Sequence, residues 1–297
     1  MSTAAQQVAP TTQSAGYERA RLWGKGSPIL VGAKYLFVIL VALVCVAPLY
    51  SMFTSAFADP ATFESTDLFP TSFTLQNFQI TWTDLGFRSM LINSVILSLP
   101  ASVISTVVSL AAAFGFSRFK FPGRTFLVFL FVASVAIPPI VIMPALYITY
   151  SQLGWTNTWF GAILTSTGLL IPFSTFLMYS YMRDLPKEQF EAARVEGASS
   201  LRQFTSIAVA MSRPAIATTF LLAVVFVWND LLVPLFLLPS SEKATLMTGL
   251  AALGPSRQGA QNVPLLMAGV LISVAPLIPL VVFGRRALLR GLVESGG

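Results

Sequence analysis

Hydrophobic residues along this chain gather into long blocks separated by shorter polar segments. Six blocks stand out, at about 33–56, 90–114, 126–150, 159–182, 215–239 and 264–283. Each has the roughly 20 residues that a helix needs to cross about 30 Å of hydrocarbon. Several carry prolines: Pro48, Pro138, Pro139, Pro144, Pro172, Pro234 and Pro276. Neighbouring membrane helices take up the carbonyls a proline frees, so these residues predict kinks and no extra loops. The pattern predicts an all-α membrane protein with six transmembrane helices.

The polar segments differ in character. Residues 1–32 are rich in Ala, Gln, Ser and Thr and predict a disordered tail. They lack the short apolar core behind a basic start that marks a secretory signal. Residues 33–286 then form the six-helix domain, and 287–297 a second tail. Segment 57–89 carries Asp59, Glu64, Asp67, Asp84 and several aromatics. It predicts short irregular or helical structure over the helix ends. Segment 150–159 is uncharged, with Trp155 placed as an interfacial anchor. Segment 240–262 holds Gly249, Gly254, Pro255 and Gly259 and predicts a flexible loop. Between the second and third blocks, Pro122-Gly123 predicts a tight turn within a run of Arg118, Lys120 and Arg124.

The longest polar interruption in the second half is 185–214, L-P-K-E-Q-F-E-A-A-R-V-E-G-A-S-S-L-R-Q-F-T-S-I-A-V-A-M-S-R-P. It predicts two short helices with a hinge. Pro186 suits a first helical turn, where its missing N–H does no harm. Glu188 and Glu191 complement the positive helix start. Gly197 can take the left-handed conformation that stops the first helix. Ser200 with Gln203 has capping-box spacing and would start the second. Phe190, Ala193 and Gly197 share a face whose small residues would let another protein approach the backbone. Taken alone, the stretch also fits an ordinary solvated loop.

Composition reinforces the membrane reading. The 297 residues are 55% hydrophobic and 10% charged, too few charges to coat a soluble domain of that length. The net charge of +6 would suit nucleic acid, but its distribution argues otherwise. With the N-terminus in the cytoplasm, 15 of the 18 basic residues fall on the inner side of the six spans, leaving Arg88, Lys243 and Arg257 outside. That bias places both termini in the cytoplasm and matches anionic lipid headgroups. No basic and aromatic surface for nucleic acid is evident. The lone cysteine, Cys45, reads as a small buried hydrophobe and excludes an internal disulfide.

Asp230 lies inside the fifth block after Trp228 and Asn229. A carboxylate in a span faces protein or a water-filled cavity. It would line a path, bond to polar groups on another helix, or be protonated. With Trp228, Asn229 and Asn93 it is a candidate for the translocation pathway. Ser94, Thr165, Ser166, Thr167, Thr218 and Thr219 would add polar surface, though such residues more often join helices to one another. With no histidine in the chain, imidazole catalysis and a Ser–His–Asp set are excluded. No Cys/His cluster supports a metal, and no phosphate-cradling G-x-x-x-x-G-K-[ST] is present. No residue is therefore assigned a catalytic or metal-binding role, and active transport would need a partner or an ion gradient.

Glu191-Ala192-Ala193, with Gly197 four residues on, then Ile207 and Pro214, resembles the EAA loop of permease subunits of ABC importers. The fuller E-A-A-x-x-x-G-A-S, followed by Trp228-Asn229-Asp230, resembles the shorter permease of maltose-type sugar importers, over most of the chain from about Tyr35 onward. Glu196 stands where many relatives have Asp. The resemblance implies a type I ABC importer permease fold, with 184–210 as a coupling loop that docks on an ATPase. It implies coupling roles for Glu191, Ala192, Ala193, Arg194, Glu196, Gly197 and Ala198. It also implies an outer loop that reaches a solute-binding protein, with Gly249, Gly254 and Gln258 as candidates. The partners implied are a second permease in a heterodimer, two ATPase subunits that hold ATP and Mg, and an extracellular or periplasmic binding protein. This chain itself would hold no cofactor. The solute would be a sugar or oligosaccharide, or another polar solute such as a glycerophosphodiester or polyol. An ion-driven secondary transporter is the reading from another class. The location implied is the bacterial inner or plasma membrane.

Overall fold

The computed structural model describes residues 28–60, 63, 72–254, 263–282 and 284. The chain divides into two units, one ending at Thr54 and the other beginning at Ser55. The described part of the first lies within helix α1 (Pro28–Ala56), which passes Pro48 without interruption and ends two residues beyond the boundary. From Val31 to Ser51 its side chains are exposed and almost wholly apolar, as suits a helix solvated by lipid. Cys45 is therefore exposed and not buried as the sequence suggested, because its apolar run faces outward instead of into a core.

Apart from an isolated bridge between Ala58 and Phe73, the regular elements among the described residues of the second unit are all helices. In order it comprises α2 (Gln76–Thr83), α3 (Phe87–Arg118), α4 (Arg124–Ser134), α5 (Pro139–Gln152), α6 (Trp159–Arg183), α7 (Lys187–Val195), α8 (Ser200–Met211), α9 (Arg213–Trp228), α10 (Leu232–Leu237), α11 (Leu246–Ala252) and α12 (Val263–Val274). A further helical turn covers 277–282 beyond a break at Ala275–Pro276.

Helix α3 is the axis of this unit, packing along α6 and α9. Three hydrophobic clusters are strung along it. Phe87, at its start, is buried with Trp228 and Leu246. Leu97 and Ala101 join Met143, Leu170, Val227 and Val233 in the middle. Leu110, Ala113 and Phe114, at its far end, pack with Met178, Met182, Phe190 and Ala215. Along α3 run buried Ser98, Ser102, Ser105, Thr106 and Ser109, spaced by three and four. Small side chains let two membrane helices approach closely. The Ser109 hydroxyl crosses to the Ile171 carbonyl at 3.3 Å.

Four described helices are long and apolar enough to span a membrane, and six spans result if each of two sharply bent pairs counts as one. Pro100 and Pro172 sit inside unbroken helices, as kinks would. The block 126–150 does not. There α4 and α5 meet at 96°, and Pro138 is extended, with ψ of 126°. Consecutive Pro138 and Pro139 lack N–H donors, and the second forbids helical geometry at the first, so the helix breaks instead of kinking. The block 215–239 also divides. Helix α9 ends at Trp228, and α10 starts at Leu232. A second bend of 77° separates α8 from α9.

Segment 240–262 was expected to be a flexible loop, yet its described part is ordered. A 3₁₀ turn covers Ser241–Lys243, and α11 follows with Thr245 and Thr248 capping each other. Reciprocal side-chain bonds satisfy amides at the helix start, and Gly249 lies within it.

Candidate functional site

The stretch 185–214 folds as two helices with a glycine hinge. Pro186 is the residue before the first turn, with Lys187 opening α7. Gly197 has φ of +82°, the left-handed conformation that ends a helix. The Ala198 N–H then closes back on the Ala193 carbonyl at 2.8 Å. The second helix starts one residue earlier than the spacing suggested. Ser199, not Ser200, is the cap: its hydroxyl accepts from the Arg202 N–H at 3.3 Å. Gln203 turns back to donate to the Ala198 carbonyl at 3.0 Å, so it braces the hinge instead of completing a capping box. Gln203–Ala208 is wound as a π-helix, a widening found often at functional sites.

The faces of α7 differ from the sequence reading. Phe190 is only 4% exposed and packs inward, its ring 6.5 Å from that of Phe114. The face of Phe190 is therefore the anchored one. Ala193 and Ala198 are half-buried, while Glu188, Glu191, Ala192, Arg194, Glu196 and Gly197 are exposed. Two apolar side chains stand out among them, Val195 at 89% and Leu201 at 72% exposure. Among the described residues the ion pair found is Arg183–Asp184, at 3.3 Å and exposed. The charged side chains of α7 are thus left facing outward. Exposed apolar groups ringed by unneutralised charge suit a protein contact.

Arg118, at the end of α3, was not singled out by the sequence. Its guanidinium lies 3.8 Å from the centre of the Phe190 ring. One of its nitrogens donates to the Met182 carbonyl at 2.9 Å and the Leu185 carbonyl at 3.4 Å. These carbonyls lie in the last turn of α6 and in the linker to α7. A cation is favoured at that helix end by the aligned carbonyl dipoles, and over the aromatic face by its quadrupole.

At the opposite end of α3, the residues proposed for a pathway are engaged with backbone. Asn93 donates its amide to the Glu242 and Ala244 carbonyls, both at 2.8 Å. Ser94 accepts from the Leu246 N–H at 3.0 Å. Trp228 is buried, its indole N–H donating to the Ser273 carbonyl at 3.1 Å. Asn229 is exposed and bonds to the Val225 carbonyl of its own helix. The Asp230 carboxylate accepts from the Leu232 N–H at 2.9 Å, an Asx turn that opens α10. Asn157 was missed altogether. Its φ of +57° is rare for a side-chain-bearing residue. Its N–H reaches the Leu237 carbonyl, its side-chain oxygen the Ser240 hydroxyl, and its carbonyl the Lys243 ammonium.

Of the outer-loop candidates, Gly249 is buried, and a β-carbon there would lie 2.3 Å from the Met90 sulfur. It serves helix packing rather than a surface contact. Gly254 is half-buried, and Gln258 lies outside the described residues.

The chain belongs to a family of membrane transport permeases: the family described as binding-protein-dependent transport system inner membrane component matches residues 105–292. It is accordingly a multi-pass permease subunit and not an enzyme. It is 28% identical over 265 residues to the diacetylchitobiose uptake system permease protein of Streptomyces coelicolor, covering 89% of this chain and 87% of that one. It is 36% identical over 229 residues to the osmoprotective compounds uptake permease protein of Synechocystis, covering 76% and 75%. The fold matches a chain in the crystal structure of a bacterial ABC transporter involved in the import of the acidic polysaccharide alginate. That match has a TM-score of 0.74 and 20% identity, covering 87% of this chain and 96% of that one.

Proposed function

We propose that this chain is one of two membrane-spanning subunits of an ATP-driven importer for a sugar or oligosaccharide. In this reading six spans cross the bacterial inner membrane with both termini in the cytoplasm. A periplasmic or extracellular binding protein delivers the solute at the end that carries Asn93, Asn157 and α11. Two ATPase subunits, which hold the ATP and Mg, engage α7 at the other end, and a second, different permease completes the path.

One observation carries this reading: α7 is a short helix with its aromatic anchor buried and its charged and apolar outer face exposed among the described residues. A helix held at both ends moves as a body, whereas a flexible loop would absorb a push. Glu191, Ala192 and Val195 form the docking face, with Ala193 and Ala198 beneath it. Gly197 supplies the turn, and Arg194 or Arg202 pairs with acids of the ATPase. ATP-driven closure of the ATPases moves α7 and switches the path between inward and outward access. Asp230, between α9 and α10, lines that path where the helix is broken. The named solutes of the relatives, a chitin disaccharide and an acidic polysaccharide, support a carbohydrate.

Purification of the tagged chain in mild detergent tests the reading. It should bring down an ATPase and a second permease. The attached receptor should bind a labelled oligosaccharide better than a polyol or glycerophosphodiester. Preference for either of the latter would change the solute and leave the importer standing. Uptake by this chain alone, abolished by a protonophore and indifferent to loss of the ATPase, would make it an ion-driven transporter instead.

A further inference from the structure

We propose that Arg118 is a positioning residue for import, locking α7 onto the ends of α3 and α6 so that a push on α7 moves both helices together. This rests on the reading of α7 as the element that engages an ATPase.

The argument starts from what else holds α7. Along the chain it hangs from α6 by Asp184, Leu185 and Pro186. Across space it is held by the Phe190 ring, buried among Phe114, Phe204 and Met182. Burial of that ring stabilises the docked position by removing its apolar surface from water. That contact is non-directional, however, and an aromatic ring can rotate or slide within an apolar pocket at little loss. A rigid linkage needs directional bonds.

Arg118 supplies them. Its bonds to Met182 and Leu185 bracket the point where α6 gives way to the linker, and so fix the angle at which α7 leaves α6. Its guanidinium carbon sits over the Phe190 ring, 3.8 Å from the centre. One planar group thus touches the last turn of α6, the linker, and the anchor of α7, while its stem belongs to α3. No carboxylate among the described residues forms an ion pair with it. The geometry of the site therefore rests on carbonyls and a ring, partners that only a planar, multiply donating cation satisfies together. Lysine has the charge without the fork, and glutamine a planar amide without the charge or the reach.

The test measures relative movement in the assembled complex with its ATPase, with Cys45 replaced by alanine. Spin labels are placed at cysteines substituted for Gln189, an exposed position on α7 outside the docking face, and Lys120 just beyond α3. Their separation is read by pulsed electron paramagnetic resonance without nucleotide and with ATP plus vanadate. With Arg118 intact the distance distribution should be narrow and the same in both states. In R118A it should broaden and shift when nucleotide binds, and R118K should recover part of the narrow component. If R118A fails to reach the membrane, R118Q carries the test and should broaden in the same way. A parent-like distribution in R118A, or in R118Q where that variant stands in, overturns the role of Arg118 and leaves the docking of α7 intact. A parent complex that holds no ATPase overturns the docking reading and this proposal with it.

Discussion

Gly197 and Asp230 act through backbone geometry, and each invites a paired substitution. Gly197 has φ of +82°, yet nothing lies within 4 Å of where its β-carbon would be. The objection to a side chain there is conformational, not steric. G197N should keep uptake, because asparagine tolerates the left-handed region. G197V should strain the hinge by about 1–3 kcal/mol and abolish uptake at normal membrane levels. Wild-type uptake by G197V would contradict the coupling role. At Asp230 the acceptor of the Leu232 N–H survives in D230N and is lost in D230L. D230L should therefore lower stability by about 1–3 kcal/mol, read as thermal unfolding in detergent, whereas D230N should not. If Asp230 lines the path, D230N should still reduce solute flux.

The helices divide into those the pattern announced and those it concealed. The start and stop of α7 were legible because proline before a helix and glycine after it act locally, on backbone that no neighbour needs to shape. Its faces were not. Phe190, Ala193 and Gly197 share a face by periodicity, but which way that face turns depends on Phe114 and Met182, far away in sequence. The cap at Ser199 was displaced by one because two serines stand side by side. Helix α11 was hidden by glycines and by a Thr-Thr cap lacking the usual acidic partner. The break between α4 and α5 was read as a kink because a single proline usually gives one, and two in succession were weighed no differently. Arg118 was counted only as a charge, since its partners are backbone carbonyls with no sequence signature. The split faces of α7 make opposite predictions. F190A should cost about 3 kcal/mol of stability by emptying a core site. V195A should leave stability unchanged and weaken co-purification of the ATPase, because that side chain is 89% exposed.

Across the whole second unit, α3 connects the two ends at which function is expected. At one end Asn93 and Ser94 hold the segment that leads into α11. At the other, Arg118 holds the root of α7. Between them α3 packs along α6, with the Ser109 hydroxyl bonded to the Ile171 carbonyl. A push at one end of such a body is felt at the other, as a machine that alternates access across a membrane requires. The test of that scheme is crosslinking at its point of entry. In a Cys45-free chain, V195C should capture an ATPase subunit in intact cells when a thiol-reactive crosslinker is added, with a yield that changes between ATP-depleted and energised cells. A cysteine there that labels readily with a small thiol reagent, yet never captures an ATPase in either condition, would contradict the docking of α7 and the importer built on it.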